Sequence, residues 1–507
     1  MVSSPPAYRQ AGRREWLALC VLMLAVVLLA VDATVLYLAV PALTAEISPT
    51  ATQLLWIGDI YSFVLAGLLI PMGNLADRVG RKKLLIIGST AFGIASLIAA
   101  YSPSAELLIA ARALLGVAGA TIMPSTLSIV RDMFEDPVQR TRAIAVWSAG
   151  ATGGAALGPL VGGALLERFW WGSVFLINVP IMLVVLVAGL ILLPESRNPH
   201  SGRVDLLSAL LSVLAIVPVV YAVKHAVGTG LDWTVPATAA AGVLAGVVFV
   251  RRQRRLPHPL VDIDLFRIPA FTGAVVANTL AIFAFSGLLF FFSQYLQLVR
   301  GYGPLMAGLA EMPVTVTSIL VIAFIGFLLT RLGRGRSIGA GLGTAALGLA
   351  ALGLAEGLPT YWGIGLALAV LGLGVGVAMA LSTDAIVAAA PRERAGAAAS
   401  ISETGYELGV ALGIAVLGSL QTALYRANLT PPTDLGAADG AALQDSLAAA
   451  SSRLTDPALI EQAQHAFTGA MQLTSYVAAG ILVLAAVIAW RVIPSPTETQ
   501  EQQHVGH

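Results

Sequence analysis

Apolar runs of about twenty residues recur from one end of this chain to the other. A helix needs roughly 20 consecutive apolar residues to cross the hydrocarbon core of a bilayer. Of the 507 residues, 57% are hydrophobic and only 11% are charged, whereas a soluble domain carries roughly 25% charged residues. The runs therefore predict an all-α protein that crosses a membrane many times.

The apolar runs predict fourteen membrane-spanning helices. The first run is too long for the apolar core of a signal peptide, so it is interpreted as the first span. The predicted spans are residues 16–40, 53–73, 84–101, 105–130, 142–166, 173–193, 205–223, 234–250, 270–298, 304–329, 336–355, 361–383, 396–425 and 467–490.

Positive charge gives the predicted helices an orientation. Lysine and arginine gather in the cytoplasmic loops of membrane proteins. With the N-terminus inside, 23 of the 29 lysines and arginines fall in inner segments, five fall in outer segments, and Arg112 lies within a span. The outer five are Arg168, Lys224, Arg300, Arg426 and Arg453. Both termini are therefore predicted to be cytoplasmic.

The last outer segment, 426–466, is polar and rich in alanine. Residues 440–451 and 457–466 are each compatible with a short helix. The segment holds five acids against two arginines, and a solvated cap is favoured over a separate binding domain.

An eleven-residue pattern occurs twice. GNLADRVGRKK spans residues 73–83, and GFLLTRLGRGR spans residues 326–336, an offset of 253 residues. Two parallel halves related by an axis along the membrane normal are typical of one class of transporter. In the first copy, Asp77 can accept from amides at a helix N-terminus or pair with an arginine such as Arg131, forming a latch for one conformation. The alternative is a basic loop that only fixes topology.

Glycine recurs every fourth residue in the fifth predicted span. Gly150, Gly154, Gly158 and Gly162 form one ridge without side chains, which favours close contact between helices. Pro159 follows within the same helix and removes a backbone hydrogen bond. The sequence predicts that this ridge lies at an interface that moves.

Charged residues within the predicted spans are candidates for function, because ionisable groups are costly in a membrane. They are Asp32, Asp59, Arg112, Glu311, Glu403 and Glu407. A carboxyl group in a low-dielectric site can hold a proton near neutral pH, and a nearby cation releases that proton. A site that takes either a proton or a cation, but not both, performs exchange.

Each charged residue also has an alternative interpretation. Asp32 is predicted to face a wet central cavity, and the alternative is a structural pair with Arg112. Asp59 is predicted near the outer end of its helix, where pairing at a gate and simple solvation are both open. Arg112 is expected to tune a carboxylate rather than bind a cation. Glu311 precedes Pro313, so contact with a drug and a polar kink are both open.

The pair Glu403 and Glu407 lies four residues apart and therefore on one helix face. Aromatic rings near such acids would suit a lipophilic cation, although packing is the commoner use of an aromatic residue. The candidates are Tyr37, Trp56, Tyr61, Phe283, Phe285, Phe291, Tyr295 and Tyr406.

Several classes of protein are excluded or disfavoured. The chain has no P-loop, which argues against an ATP-driven pump. The single cysteine, Cys20, and histidines scattered in loops and tails predict no metal site, no cofactor and no enzyme active site. A net charge of +1 gives no reason to expect a nucleic-acid partner.

These motifs resemble those of the major facilitator superfamily. GNLADRVGRKK is similar to its loop motif, and GAALGPLVGG (residues 154–163) is similar to the antiporter motif of its drug exporters. VDATVLYLAVPAL (31–43) and RALLGVAGATIMP (112–124) resemble first- and fourth-helix motifs of the fourteen-helix drug/proton antiporters, and quaternary-ammonium and methyl-viologen exporters are the most similar members.

The resemblance implies a fold of two six-helix bundles, 16–193 and 270–490, separated by two additional helices within 194–269. Residues 1–15 and 491–507 are the predicted cytoplasmic tails. It also implies a monomer in the bacterial inner membrane that exports lipophilic cations, with one or two charges, in exchange for protons. The acids of helices 1, 2 and 13 and the helix-4 arginine would form the working set. An exporter of another small molecule, a uniporter and an importer of the same fold are the alternatives.

The resemblance further assigns residues to conformational change. They are Gly73, Asp77, Arg78, Gly80, Arg81, Arg131, Gly154, Gly158, Pro159, Gly162 and Gly163.

Overall fold

In the part of the chain that this computed structural model describes, fourteen helices are long and apolar enough to cross a membrane, as the sequence predicts. The structure describes residues 10–196, 205–228, 230–257, 259–391, 394–432 and 435–495. The spans are α1 (Arg13–Ile47), α2 (Ala51–Val79), α3 (Arg81–Ala100), α4 (Ala105–Met133), α5 (Val138–Leu166), α6 (Ser173–Leu192), α7 (Leu207–Val227), α8 (Thr234–Gln253), α9 (Pro269–Val299), α10 (Pro304–Leu332), α11 (Arg334–Ala355), α12 (Tyr361–Ala389), α13 (Ala397–Ala427) and α14 (Pro457–Val492).

An even number of spans places both ends of the chain on one side of the membrane. We call the side with the basic loops the inner side, following the charge prediction, and the opposite side the outer side. The predictions for residues 1–9, 197–204 and 496–507, and for Arg392, lie outside the described residues.

Several helices extend beyond the predicted apolar runs. The largest difference is at α14, which begins at Pro457 rather than near residue 467. Proline is well suited to the first turn of a helix, and the Asp456 side chain accepts a hydrogen bond from the backbone N–H of Ala458 at 3.0 Å. The predicted short helix 457–466 is therefore the start of α14.

The internal repeat is visible in the geometry of the two matched loops. Gly80 and Gly333 both have positive φ, 119° and 75°, which is a conformation that suits glycine. The arginine after each glycine begins one helix and pairs with an aspartate near the inner end of the next helix. Arg81 pairs with Asp132, and Arg334 Nη2 lies 3.0 Å from Asp384 Oδ2. The two halves thus use the same brace.

The two additional helices, α7 and α8, form a hairpin that is joined at both ends. At the inner end, Arg252 Nη2 lies 3.0 Å from Asp205 Oδ1. Burial raises the pKa of Asp205, but hydrogen bonds from Ser208 and Arg252 outweigh it and the pKa is lowered. At the outer end, Asp232 accepts from the Thr234 N–H at 2.9 Å, and the hydroxyl of Thr234 and the ring of His225 lower its pKa to about 2.

The tenth span is not a continuous α-helix. It consists of Pro304–Ala310, Met312–Leu320, a 3₁₀ turn at Val321–Phe324 and Ile325–Leu332. The first break falls at Glu311, just before Pro313, which cannot donate a helical hydrogen bond. The acid therefore lies at a bend of α10.

The two halves meet on the outer side of the molecule. Gln297 of α9 donates to the carbonyl of Leu38 of α1 at 3.0 Å, and a Cβ on Gly163 of α5 would lie 2.7 Å from Cα of Leu305. On the inner side, the last part of α10, Ile325–Leu332, buries none of its residues. In this conformation the two halves are therefore in contact on the outer side.

The described part of the outer segment 426–466 is a cap with many exposed residues and a few buried apolar ones. It contains two short helices, Ala437–Asp445 and Leu447–Arg453, and Leu443 and Leu447 are buried. The Asp445 carboxylate accepts from the backbone N–H of Ala51 at 3.0 Å, at the first turn of α2. Burial raises the pKa of Asp445, partly offset by that amide and by Arg426. The cap therefore joins the second half to the first.

Candidate functional site

Asp32 of α1 lies in a buried polar network of the first half. Arg112 Nη1 of α4 lies 3.0 Å from Asp32 Oδ2, and Asn178 of α6 donates to Asp32 Oδ1 at 2.7 Å. The same Asn178 amide group donates to Ser96 of α3 at 3.1 Å. Asp32 is 0% exposed. The prediction that it faces a wet cavity is wrong for this conformation, because the carboxylate is fully buried and contacts Arg112 and Asn178.

Arg112 is held by more than this ion pair. Its Nε donates to the carbonyl of Ile57 at 3.1 Å, and its guanidinium carbon lies 4.9 Å from the centre of the Tyr61 ring. Arginine stacks on aromatic rings and bonds a carboxylate in a fixed geometry. The arginine therefore fixes Asp32 and Tyr61 relative to one another, which agrees with the predicted role beside a carboxylate.

Glu407 of α13 supplies an acid from the second half. It is 7% exposed, and its carboxylate takes a hydrogen bond from Ser62 of α2. Glu403 lies one turn away on the same helix, close enough to act on Glu407 electrostatically. Tyr406 lies within electrostatic range of both. Glu403 and Glu407 therefore share one face of α13, as predicted. Glu407, the more buried of the two, contacts Ser62 of the first half.

Tyr37 lies where the charged residues of both halves converge. Its hydroxyl lies within electrostatic range of Arg112, Glu407, Asp59 and Glu311. Its ring meets that of Phe290 edge to face, with centroids 5.6 Å apart. The structure therefore brings most of the predicted acids to one region between the halves.

Glu311 occupies the bend of α10 and is 3% exposed. Ser293 of α9 donates a hydrogen bond to its carboxylate, while Oε1 has no partner among the described residues. Buried polar atoms normally have a partner. An acid with an unused oxygen at a helix bend therefore has capacity for a further proton or cation.

Asp59 is buried rather than solvated. It is 0% exposed, and its Oδ2 lies 2.5 Å from Lys224 Nζ of α7. The prediction had placed Lys224 in an outer loop beyond residue 223. Instead α7 continues past it, and the lysine is 1% exposed. The apolar run ends at this lysine, which hid its position inside the helix.

The predicted aromatic set divides in two. Tyr37, Tyr61, Trp56 and Tyr406 lie beside the charged groups described above, and Phe291 joins them through Phe290, with ring centroids 5.0 Å apart. Phe283 and Phe285 are half-buried on α9.

Tyr295 belongs to a different environment. It is fully buried and donates to the carbonyl of Glu356 at 2.5 Å, and it accepts from Arg300 Nε at 2.8 Å. The prediction that it contacts a drug is wrong in this structure, because its ring and its hydroxyl are both used within the second half.

The glycine ridge of α5 faces its own half. A Cβ on Gly154 would lie 2.6 Å from the carbonyl oxygen of Val27, and one on Gly158 would lie 1.8 Å from Thr34 Oγ1. Both partners are in α1. Residues of α5 that meet the other half include Pro159, whose carbonyl approaches Gly308, and Gly163. The prediction that the whole ridge forms the moving interface is therefore wrong.

The loop motif after α2 also pairs differently from the prediction. Asp77 Oδ1 accepts from Arg81 Nε at 2.8 Å, and Arg81 also reaches Asp132. Arg131 and Arg78 are exposed, so Arg131 is not the partner of Asp77. Gly73 lies 3.5 Å, measured from a Cβ built on it, from Pro124 of α4, as expected for close helix contact.

Sequence reasoning missed the neutral partners of the acids. Asn178, Ser62 and Ser293 are polar residues in apolar runs, a signal that could have marked them. No group of three potential ligands capable of holding a metal ion occurs in the part of the chain that the structure describes.

Comparison with known proteins identifies the family. A family model described as the Major Facilitator Superfamily matches residues 22–414. The multidrug efflux pump LfrA of Mycolicibacterium smegmatis is 44% identical over 493 residues, covering 96% of this chain and 98% of LfrA. The methyl viologen resistance protein SmvA of Salmonella typhimurium is 38% identical over 484 residues, covering 94% and 98%.

A solved structure supports the same fold. A bacterial homologue of the human lysosomal transporter Spinster, in an inward-facing and unoccupied conformation, matches with a TM-score of 0.67 at 18% identity, covering 96% of this chain and all of that one. The chain therefore belongs to the major facilitator superfamily and, within it, to the same family as the efflux pump LfrA and the resistance protein SmvA.

Proposed function

We propose that this protein exports lipophilic cations across the bacterial plasma membrane in exchange for protons. The observation that carries the proposal is the convergence of buried acids from both halves around Tyr37 and Tyr61. Glu407 and Glu311 of the second half lie near Tyr37, and Asp32 of the first half lies near Tyr61 together with Glu407. A carboxylate in such a place holds either a proton or a positively charged substrate.

Mutual exclusion turns such a site into an exchanger. A cation that enters from the inner side favours the ionised acid and releases its proton, and a proton that enters from the outer side displaces the cation. An exporter collects its substrate in a conformation that is open toward the inner side. The edge-to-face rings of Tyr37 and Phe290 would contact the apolar part of a lipophilic cation.

The relatives support the class of substrate. LfrA is a multidrug efflux pump, and SmvA is a methyl viologen resistance protein; methyl viologen is a cation with two charges. The expected substrates are quaternary ammonium biocides and cationic dyes of one or two charges. Export of another small molecule, or transport by the same fold without proton coupling, is the alternative.

Everted membrane vesicles test this proposal. An imposed pH gradient, acidic inside, should drive ethidium uptake that collapses when the gradient is dissipated. Asp32→Asn and Glu407→Gln should each abolish this uptake at matched expression. Glu461→Gln, at a 72% exposed side chain of the outer segment, is the matched control and should transport normally. Uptake that persists without a pH gradient would indicate a uniporter.

A further inference from the structure

The hairpin of additional helices lies across the seam between the two halves. A Cβ on Gly67 of α2 would lie 2.6 Å from Val213 of α7. Two turns further along α7, Val220 packs with Phe63 of α2 and with Ala411 and Ala415 of α13. Thus α7 contacts α2 of the first half and α13 of the second.

The same faces of α2 and α7 carry an ion pair. Lys224 is one turn beyond Val220, and Asp59 is one turn before Phe63. The Lys224 ammonium lies 2.5 Å from Asp59 Oδ2 and 3.7 Å from the centre of the Trp56 ring. Apart from this carboxylate, no acceptor among the described residues holds a hydrogen bond with Lys224 Nζ.

This surrounding is unusual for a lysine and ordinary for a quaternary ammonium ion. An ammonium group has three N–H donors that seek acceptors. A quaternary ammonium has none, and it binds to a carboxylate and an aromatic face. Asp59 and Trp56 provide those two groups and little else.

We propose that Trp56 and Asp59 form a second cation site, whose occupant in this conformation is the Lys224 ammonium acting as a tethered competitor. The site takes monovalent quaternary or otherwise lipophilic cations when Lys224 leaves it. This inference rests on the proposed function, since it concerns an acid of the same set, but it adds a separate site and the group that regulates it.

Because Lys224 is covalently linked to the protein, it competes strongly with a free cation for this site. A group linked to the protein competes at an effective concentration on the order of millimolar. A drug present at micromolar concentration and with equal intrinsic affinity is therefore excluded about a thousandfold. Replacing Lys224 by methionine removes the charged competitor, because a flexible uncharged thioether side chain is not attracted to the Asp59 carboxylate and can be displaced by a cation.

Equilibrium binding of tetraphenylphosphonium to the purified full-length protein tests the proposal. Lys224→Met should bind one more tetraphenylphosphonium ion per molecule than the wild type does. The affinity of this additional site should be micromolar, at least tenfold tighter than any binding there in the wild type. Adding Asp59→Asn to Lys224→Met should remove the extra site. Adding Trp56→Ala instead should weaken it severalfold.

The count separates this inference from the proposed function. If the central site does not bind cations, the stoichiometry should rise from zero to one; if it does, the stoichiometry should rise from one to two. Lys224→Arg, which keeps the charge, should gain no site. An unchanged stoichiometry in folded Lys224→Met overturns the inference. If Lys224→Met does not fold by itself, tetraphenylphosphonium should restore its thermal stability, and the neutral double variant Asp59→Asn/Lys224→Met should fold without it. If the double variant folds but tetraphenylphosphonium does not restore the stability of Lys224→Met, the inference is overturned equally.

Discussion

At the scale of single residues, Asp32 shows how a membrane protein retains a buried charge. The acid and Arg112 are both essentially inaccessible, and Asn178 comes from a helix 146 residues further along the chain. The sequence identifies the acid, because a carboxylate in an apolar run stands out. It does not identify the partners, since they are brought there by the packing of α4 and α6.

We expect that Asp32→Asn impairs stability as well as transport. Removing one partner of a buried ion pair costs roughly 3–5 kcal/mol, because the other charge is left uncompensated. The double variant Asp32→Asn/Arg112→Gln should recover much of the thermal stability but none of the proton-coupled transport. Unfolding temperatures in detergent and vesicle uptake, measured on the same preparations, check this. Transport by the double variant would make the pair a structural element only.

Glu311 should influence substrate choice more than coupling. Its unpartnered Oε1 offers a second negative charge away from Asp32. At an effective dielectric near 20, a charge pair at about 4 Å contributes about 4 kcal/mol before desolvation. Glu311→Gln should therefore weaken efflux of divalent biocides, such as chlorhexidine, and spare ethidium.

Resistance and vesicle transport for both substrate classes, in one host at matched expression, measure the effect of Glu311→Gln. Equal loss for both classes would place Glu311 among the coupling residues. No loss for either class would leave it a structural acid at the bend of α10.

At the scale of helices, α5 has two faces with different tasks. The ridge at Gly154 and Gly158 packs against α1, whereas Gly163 meets α10 of the other half. The four-residue spacing of glycine predicts a close helix contact, and the structure confirms one. It cannot say which helix lies opposite, because the predicted spans that could pack there are apolar runs of similar composition.

Substitutions along α5 should separate these faces. Gly158→Leu should lower folding yield, since overpacking costs typically about 1–3 kcal/mol and Thr34 lies directly against this position. Gly163→Leu should leave the protein folded but prevent closure on the outer side. Gly153→Leu is the matched control, as a Cβ there meets nothing within 4 Å.

Thermal stability, together with cysteine accessibility at the outer ends of α5 and α10, distinguishes the three α5 variants. A folded, fully active Gly163→Leu protein would contradict the assignment of this residue to the outer contact.

Asp77 should affect rate more than affinity. It lies at the inner ends of α2 and α3, where it pairs with Arg81, away from the acids near Tyr37. Asp77→Asn should slow turnover roughly tenfold, equivalent to about 1.4 kcal/mol of barrier, and leave drug binding nearly unchanged.

The equivalent residue of the second repeat, Thr330, is the control for Asp77, and Thr330→Val should transport normally. Turnover and equilibrium drug binding, measured on the purified proteins, check the comparison. A change confined to affinity in Asp77→Asn would contradict the role as a latch.

At the scale of the whole molecule, the sequence predicts the architecture well. Fourteen spans follow from hydropathy, and the duplicated loop indicates two related halves, now matched by the braces at Asp132 and Asp384. The helix ends were predicted less well, since an apolar run stops at its first charge. That is why Lys224 was placed in a loop and why the first ten residues of α14 were assigned to the cap.

The predicted orientation remains to be measured. Reporter fusions at residue 260, between α8 and α9, and at residue 445, in the outer cap, should report the cytoplasmic and the external side respectively. The expected result follows from the excess of lysine and arginine on one side. The reverse pattern would invert the assignment of inner and outer side, and the same signal at both positions would contradict fourteen spans.

The contact between α5 and α10 has a consequence for the speed of the transport cycle. The carbonyl of Pro159 lies against Gly308, and Gly163 lies against the backbone of Leu305. Glycine and proline have no side-chain rotamers to order, so this part of the seal loses little conformational entropy when it forms. At Pro159, Gly163 and Gly308 no side chains have to interlock, so the two backbones can separate and meet again there. The contact between α5 and α10 at these positions is thus suited to repeated opening, because little side-chain entropy is lost each time it forms.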